Sequence, residues 1–156
     1  MAVSARSRRI YMDSSVWIAL LAQEPSAEQL ALWLDSEDGQ LFTALWTRTE
    51  LASALSIKAR RGEFSQKQVT QLLQEFEQWV ATGVQLLNID NRDFAQAADL
   101  CAKVKASLRS GDALHLTVAA RHQMTHVATL DSDMRKNALE IGLQVLKYDD
   151  HKKPSR

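Results

Sequence analysis

Five short apolar runs recur along this chain, and helical patterns fill every interval between them. The first runs into Asp13, and the others cover residues 41–44, 84–89, 126–130 and 143–146. Strands separated by helices cannot pair as hairpins. They pair in parallel, with helices on both faces of the sheet. Continuous apolar runs, rather than alternation, fit strands covered on both sides. The chain has 156 residues, enough for one domain with a real core. Between the second and third strands lie two consecutive helical patterns, residues 47–83, read as a helical insertion. The expected domain is 1–150. Residues 149–156, with Pro154, read as polar and frayed, and 151–156 as a tail.

Punctuation places the helices. Ser14 or Ser15, Ser26, Thr47 or Thr49, Ser65, Asn91, Ser110 and Ser132 or Asp133 stand where N-caps are wanted. Gly62, Gly83 and Gly142 stand where helices stop. The pattern after Asn91 runs through Phe94, Ala97, Ala98, Cys101 and Val104.

Charge and cysteine content narrow the function. The formal net charge is zero, so no global field draws in a polyanion. A nucleic-acid contact would need local basic patches or a bridging cation. One cysteine, Cys101, excludes an internal disulfide and suits a reducing cytoplasm, the expected location. Arg6, Arg8 and Arg9 ahead of the apolar 16–22 segment imitate a secretory leader. Asp13, Ser14 and Ser15 interrupt it, and no small-x-small cleavage pattern follows. No run is long enough to span a bilayer.

In a parallel α/β sheet, strand ends and the helix starts that follow them share one edge, where such folds bind ligands. Four acids fall there: Asp13 at the end of the first strand, Glu50 in the helix after the second, Asp112 in the helix before the fourth, and Asp131 directly after the fourth. A plainer account exists for each. Asp13 caps a helix. First-turn acids such as Asp112 and Asp131 gain roughly 0.3–1 kcal/mol from the helix dipole, and Arg135 lies four residues beyond Asp131. Glu50 has no cation at helical spacing. Together the plain accounts weaken, because two carboxylates about 5 Å apart repel by about 3 kcal/mol at an effective dielectric near 20. An all-oxygen cluster suits Mg²⁺ or Mn²⁺ rather than zinc. His115, three residues after Asp112, is read as a core or surface histidine, and with His122 and His126 it makes no zinc set.

The motifs Tyr11-Met12-Asp13-Ser14-Ser15, Thr49-Glu50-Leu51, the run from Arg109 to Leu116 with its Asp-Ala-Leu-His-Leu start, and Thr129-Leu130-Asp131 stand in that order. With them, residues 9–148 resemble the PIN-domain ribonucleases, and among these the VapC-type toxins. The resemblance implies an α/β fold with a five-stranded parallel sheet in order 3-2-1-4-5. It implies Asp13, Glu50 and Asp112 as metal-binding catalytic acids, Asp131 as a more variable fourth, and Ser15 and Thr129 as residues orienting them. It further implies a Mg²⁺- or Mn²⁺-dependent endoribonuclease acting on RNA (tRNA or rRNA being candidates), homodimerisation, and inhibition by a small antitoxin. Gly111 replaces the family's more usual small residue, and the expected consequence is only a looser helix start. Arg109 is the best candidate for a phosphate contact, ahead of Arg48, Lys58, Arg60 and Arg61.

Two other classes fit the scaffold. A phospho-acceptor signalling domain would use Asp90 after the third strand and Lys147 after the fifth, but its first strand would end in two acids. A non-catalytic RNA- or protein-binding module would use Trp17, Trp33, Trp46 and Trp79 as a groove, although each sits in an apolar helical pattern.

Overall fold

The computed structural model describes residues 8–148, so the expected tail at 149–156 and the leader-like Arg6 lie outside the described residues. The sheet is all parallel, in order β3-β2-β1-β4-β5. Its strands are β1 (Arg9–Met12), β2 (Gln40–Ala44), β3 (Gln85–Leu87), β4 (His126–Ala128) and β5 (Gln144–Val145). The helices are α1 (Ser14–Leu21), α2 (Ala27–Ser36), α3 (Trp46–Arg60), α4 (Gln66–Thr82), α5 (Asn91–Ala102), α6 (Ser110–Arg121) and α7 (Ser132–Glu140).

β1 is central and buried from Ile10 to Met12, and its pleat divides the core. Ile10 and Met12 face one layer, with Val16, Trp17, Leu30, Leu51 and Phe76 from α1 to α4. Tyr11 faces the other, with Leu116, Val118 and Met134 from α6 and α7. The helical insertion α3–α4 therefore packs into the first layer: the Trp17 ring meets Phe76 edge-on at 5.2 Å and Trp79 at 5.9 Å. Trp17 and Trp33 are buried, so they pack the core rather than line a groove. α6 is buried along Ala113–Ala119 without a break, as expected of a helix enclosed on all sides.

Several boundaries differ from the sequence reading. The last three runs shorten to β3, β4 and β5, because each is paired with its neighbours over only two or three residues. Asp13, not a serine, caps α1, accepting from the Val16 amide at 3.2 Å. Asp90 rather than Asn91 caps α5, in a capping box with Asp93. Asp131 caps α7, accepting from Met134 at 2.7 Å. Ser26 and Arg109 precede α2 and α6 without side-chain caps, and Leu45 rather than a threonine precedes α3. Ser65 caps α4 as expected, in a box with Gln68. The helix after Asp90 stops at Ala102. Val104 stands in a single 3₁₀ turn, 92% exposed, so it is not the core position its spacing suggested.

Candidate active site

The parallel ladder sets the site. β1 pairs with β4 in the register Met12↔Ala128, so the two chains leave the sheet side by side. The Asp13 amide still bonds the Ala128 carbonyl at 3.1 Å. Asp13 is buried, and hydroxyls hold both of its carboxylate oxygens: Ser15 donates to Oδ1 and Thr129 to Oδ2, each at 2.6 Å. Ser15 also accepts the Leu130 amide at 2.9 Å, and Thr129 accepts the Asp131 amide at 3.1 Å. Asp13 thus caps α1 and is gripped through both carboxylate oxygens at the same time. Burial pushes its carboxyl above the ordinary range, against the opposing pull of His115 and the two hydroxyls.

Glu50 lies one turn into α3, at the mouth of a groove between α1 and α3 lined by Ser14, Ile18, Trp46, Thr49 and Ser53. Its Oε2 meets Nε2 of His115 in a short hydrogen bond. His115 is fully buried, and its Nδ1 lies 2.5 Å from the Tyr11 hydroxyl. Burial alone would raise the Glu50 carboxyl, but the hydrogen bond from His115 holds it below the ordinary value. His115 is thus a core histidine and a site residue at once. Its sequence signal was its place one turn after Asp112 on the same face.

Asp112, in the first turn of α6, is half-buried. Its carboxyl is pushed up to about 6, first by burial and then by the negative charges of Asp131, Asp13 and Glu50, with His115 opposing. The charges of Asp131, Asp13 and Glu50 therefore all reach Asp112, in a notch beside the start of α6. No lysine or arginine is ion-paired with any of them among the described residues. Arg135 does not pair with Asp131; it donates instead to the Thr129 carbonyl at 3.0 Å. The buried arginine pair of this fold is elsewhere, Arg121 with Asp93.

Gly111 does more than loosen a helix start. A β-carbon there would stand 2.7 Å from Oε1 of Glu50, so the carboxylate occupies the space that the missing methyl leaves.

An oxygen-only donor set with mutual repulsion fits a hard divalent cation. The side chains share the notch without closing on a point: among the described residues, no three His, Cys, Asp or Glu form a group that would hold a metal ion as they stand. Among the basic candidates, Arg48 is bound to Glu77 and Lys58 to Glu24 and Glu63. Arg109 is exposed beside the start of α6. The phospho-acceptor reading loses its residue: Asp90 is a helix cap gripped by Arg92, which pulls its carboxyl down to about 2.

Comparison with known proteins bears on the family and the fold. Over 135 residues the chain is 28% identical to ribonuclease VapC47 of Mycobacterium tuberculosis (strain CDC 1551 / Oshkosh), covering 85% of this chain and 92% of the relative. Over 139 residues it is 30% identical to ribonuclease VapC46 of the H37Rv strain, covering 88% and 95%. The crystal structure of M. tuberculosis VapC20, a Sarcin-Ricin loop cleaving toxin, superposes with a TM-score of 0.67 at 16% identity, covering 82% of this chain and 94% of that one. A toxin–antitoxin complex from Klebsiella pneumoniae does so at 0.60 and 18%, covering 89% and 97%. The PIN domain pattern matches residues 10–140, and the chain belongs to the PIN-domain family.

Proposed function

We propose that this chain is a divalent-metal-dependent endoribonuclease and the toxin of a toxin–antitoxin pair. The observation that carries the reading is the convergence of the charges of Asp13, Glu50 and Asp131 on Asp112, with no lysine or arginine among the described residues ion-paired to any of the four. These four would hold Mg²⁺ or Mn²⁺. Bound there, the cation would polarise a scissile phosphate and acidify a water for in-line attack. Mg²⁺ is usually held through one or two carboxylates with waters and substrate phosphates, so an open notch suits it better than a closed cage would.

The chain's own contribution is placement. Ser15 and Thr129 fix both oxygens of Asp13 by hydrogen bonds. Asp131 is fixed by capping α7. Arg109 stands at the rim to meet a phosphate. RNA is the proposed substrate class, supported by the ribonuclease names of the two VapC relatives. A small antitoxin is the proposed protein partner, supported by the toxin–antitoxin complex among the structural neighbours. A homodimer is the proposed assembly, and the cytoplasm the proposed location. Among the described residues, no helix is long and apolar enough to cross a membrane.

The test is cleavage of total tRNA and rRNA in Mn²⁺. Wild type should cut and EDTA should stop it. Asp13→Asn, with an unchanged circular dichroism spectrum, should cut at least about 100-fold more slowly. Equal cleavage by Asp13→Asn would refute the assignment.

A further inference from the structure

We propose that His115 is a positioning residue for Glu50: it donates its Nε2–H to the Glu50 carboxylate, in a tautomer set by the Tyr11 hydroxyl, and Gly111 leaves the space in which that carboxylate sits. The proposal deepens the ribonuclease reading and rests on it for the use of Glu50. The hydrogen-bond chain itself stands apart from any metal.

Direction along the chain follows from who can donate. Tyr11 is fully buried in the central strand. Burial, then the charges of Asp13 and Glu50, keep its phenol protonated well above the ordinary range. Of the two neutral tautomers of His115, only the one in which Nδ1 accepts the phenol O–H, 2.5 Å away, leaves an N–H on Nε2, so Nδ1 is the acceptor. The ring proton is then on Nε2, the atom that faces Glu50 Oε2. The opposite tautomer would set a lone pair against a carboxylate.

Glu50 needs such a hold. Its long side chain stands in a notch with three other acids, and repulsion alone would turn it out toward water. The other elements around it offer no lysine or arginine. The largest pull comes from His115 on α6, ahead of Ser14 and Trp46, and it acts at short range because Gly111 carries no side chain on the line of approach. The backbone of Gly111 does not require glycine, since its φ is not among the positive ones. Space is the reason left for it. Partners that orient a metal-binding side chain in this way change metal affinity or activity about 10–100-fold when removed.

The experiment uses the full chain. His115→Leu removes the donor at similar volume, His115→Gln keeps an N–H at the far end of the side chain, and Gly111→Ala puts a methyl against Oε1. Mn²⁺ affinity is read by electron paramagnetic resonance of the free ion, and the His115 tautomer by long-range ¹H–¹⁵N correlation. The expected result is the Nε2–H form in wild type, Mn²⁺ binding weakened about 10–100-fold by His115→Leu, and binding within about threefold of wild type for His115→Gln. Gly111→Ala should weaken Mn²⁺ while its Tm stays level or rises, since alanine is the better helix former. A fold defect alone would move Tm and affinity together. Equal affinity in wild type and His115→Leu, equal loss in Leu and Gln, or an Nδ1–H tautomer would overturn the proposal. Should His115→Leu not fold, the Gln and Ala variants decide it. If wild type binds no Mn²⁺, the metal reading falls. The tautomer spectrum, with and without Glu50→Gln, then decides the hydrogen-bond chain by itself.

Discussion

At the scale of single residues, the acids trade stability for chemistry. Asp112 has its carboxyl raised to about 6 in the folded chain against an ordinary 3.8. The folded state therefore binds more protons than the unfolded one between these values, and stability falls as pH rises through that window. The penalty is complete above about pH 6 and absent below about pH 4. Asp112→Asn removes it. In metal-free buffer the variant should melt about 2–4 °C higher than wild type at pH 7.5, the shift expected of about 1 kcal/mol in a chain of this size after solvent screening at a half-buried site. At pH 4 the two should melt together. Thermal scans at both pH values check this, and a gain at pH 4 equal to that at pH 7.5 would contradict it. That Asp13 and Asp131 follow the first and fourth strands was legible in the sequence, because strand ends announce themselves. The importance of His115 and Gly111 was not, since both act on Glu50, more than 60 residues earlier in the chain. Pattern reading sees neighbours along a helix, whereas this contact exists only once α3 and α6 converge.

Elements were read more reliably than their first residues. Every strand and α-helix appears where an apolar run or helical period stood, and the 3₁₀ turn at Val104–Ala106 went unseen because one turn leaves no period. Helix starts slipped at α1, α5 and α7 for a shared reason. A residue one or two places further on was expected to cap, and the aspartate closing each preceding connection takes the role instead. An aspartate there adds charge to the hydrogen bond and meets the positive end of the helix. The pairing of α5 with α6 was invisible for another reason, that Asp93 and Arg121 belong to different elements. Arg121 donates through Nε and Nη2 at 2.7 Å to the two oxygens of Asp93, whose side chain is wholly buried. Arg121→Met would leave that carboxylate buried without its cation, held by the Asp90 amide. We expect a loss of about 3 kcal/mol in urea unfolding, with RNA cleavage per folded molecule unchanged. A loss under about 1 kcal/mol would mean that water replaces the guanidinium.

For the molecule as a whole, the charge balance decides how a polyanion is met. A chain of zero formal net charge has no field to attract RNA from a distance, and its notch is acidic. Affinity for RNA should therefore depend on a bridging cation more than on salt-sensitive basic patches. Fluorescence polarisation with a labelled RNA in Ca²⁺, a poor substitute for Mg²⁺ in cleavage, should show binding at least about tenfold tighter than in EDTA. Equal binding in both would point to a basic surface instead. The strand order has a consequence in time. Asp13 is held by Ala128 and Thr129, and its neighbour Ser15 by Leu130, among the last parts of the sheet to be made. A ribosome adding about 5–20 residues per second needs roughly 6–24 s between translating the first of the four acids and the last. Throughout that interval the nascent chain has no assembled centre with which to cut the messenger or the ribosome that is making it.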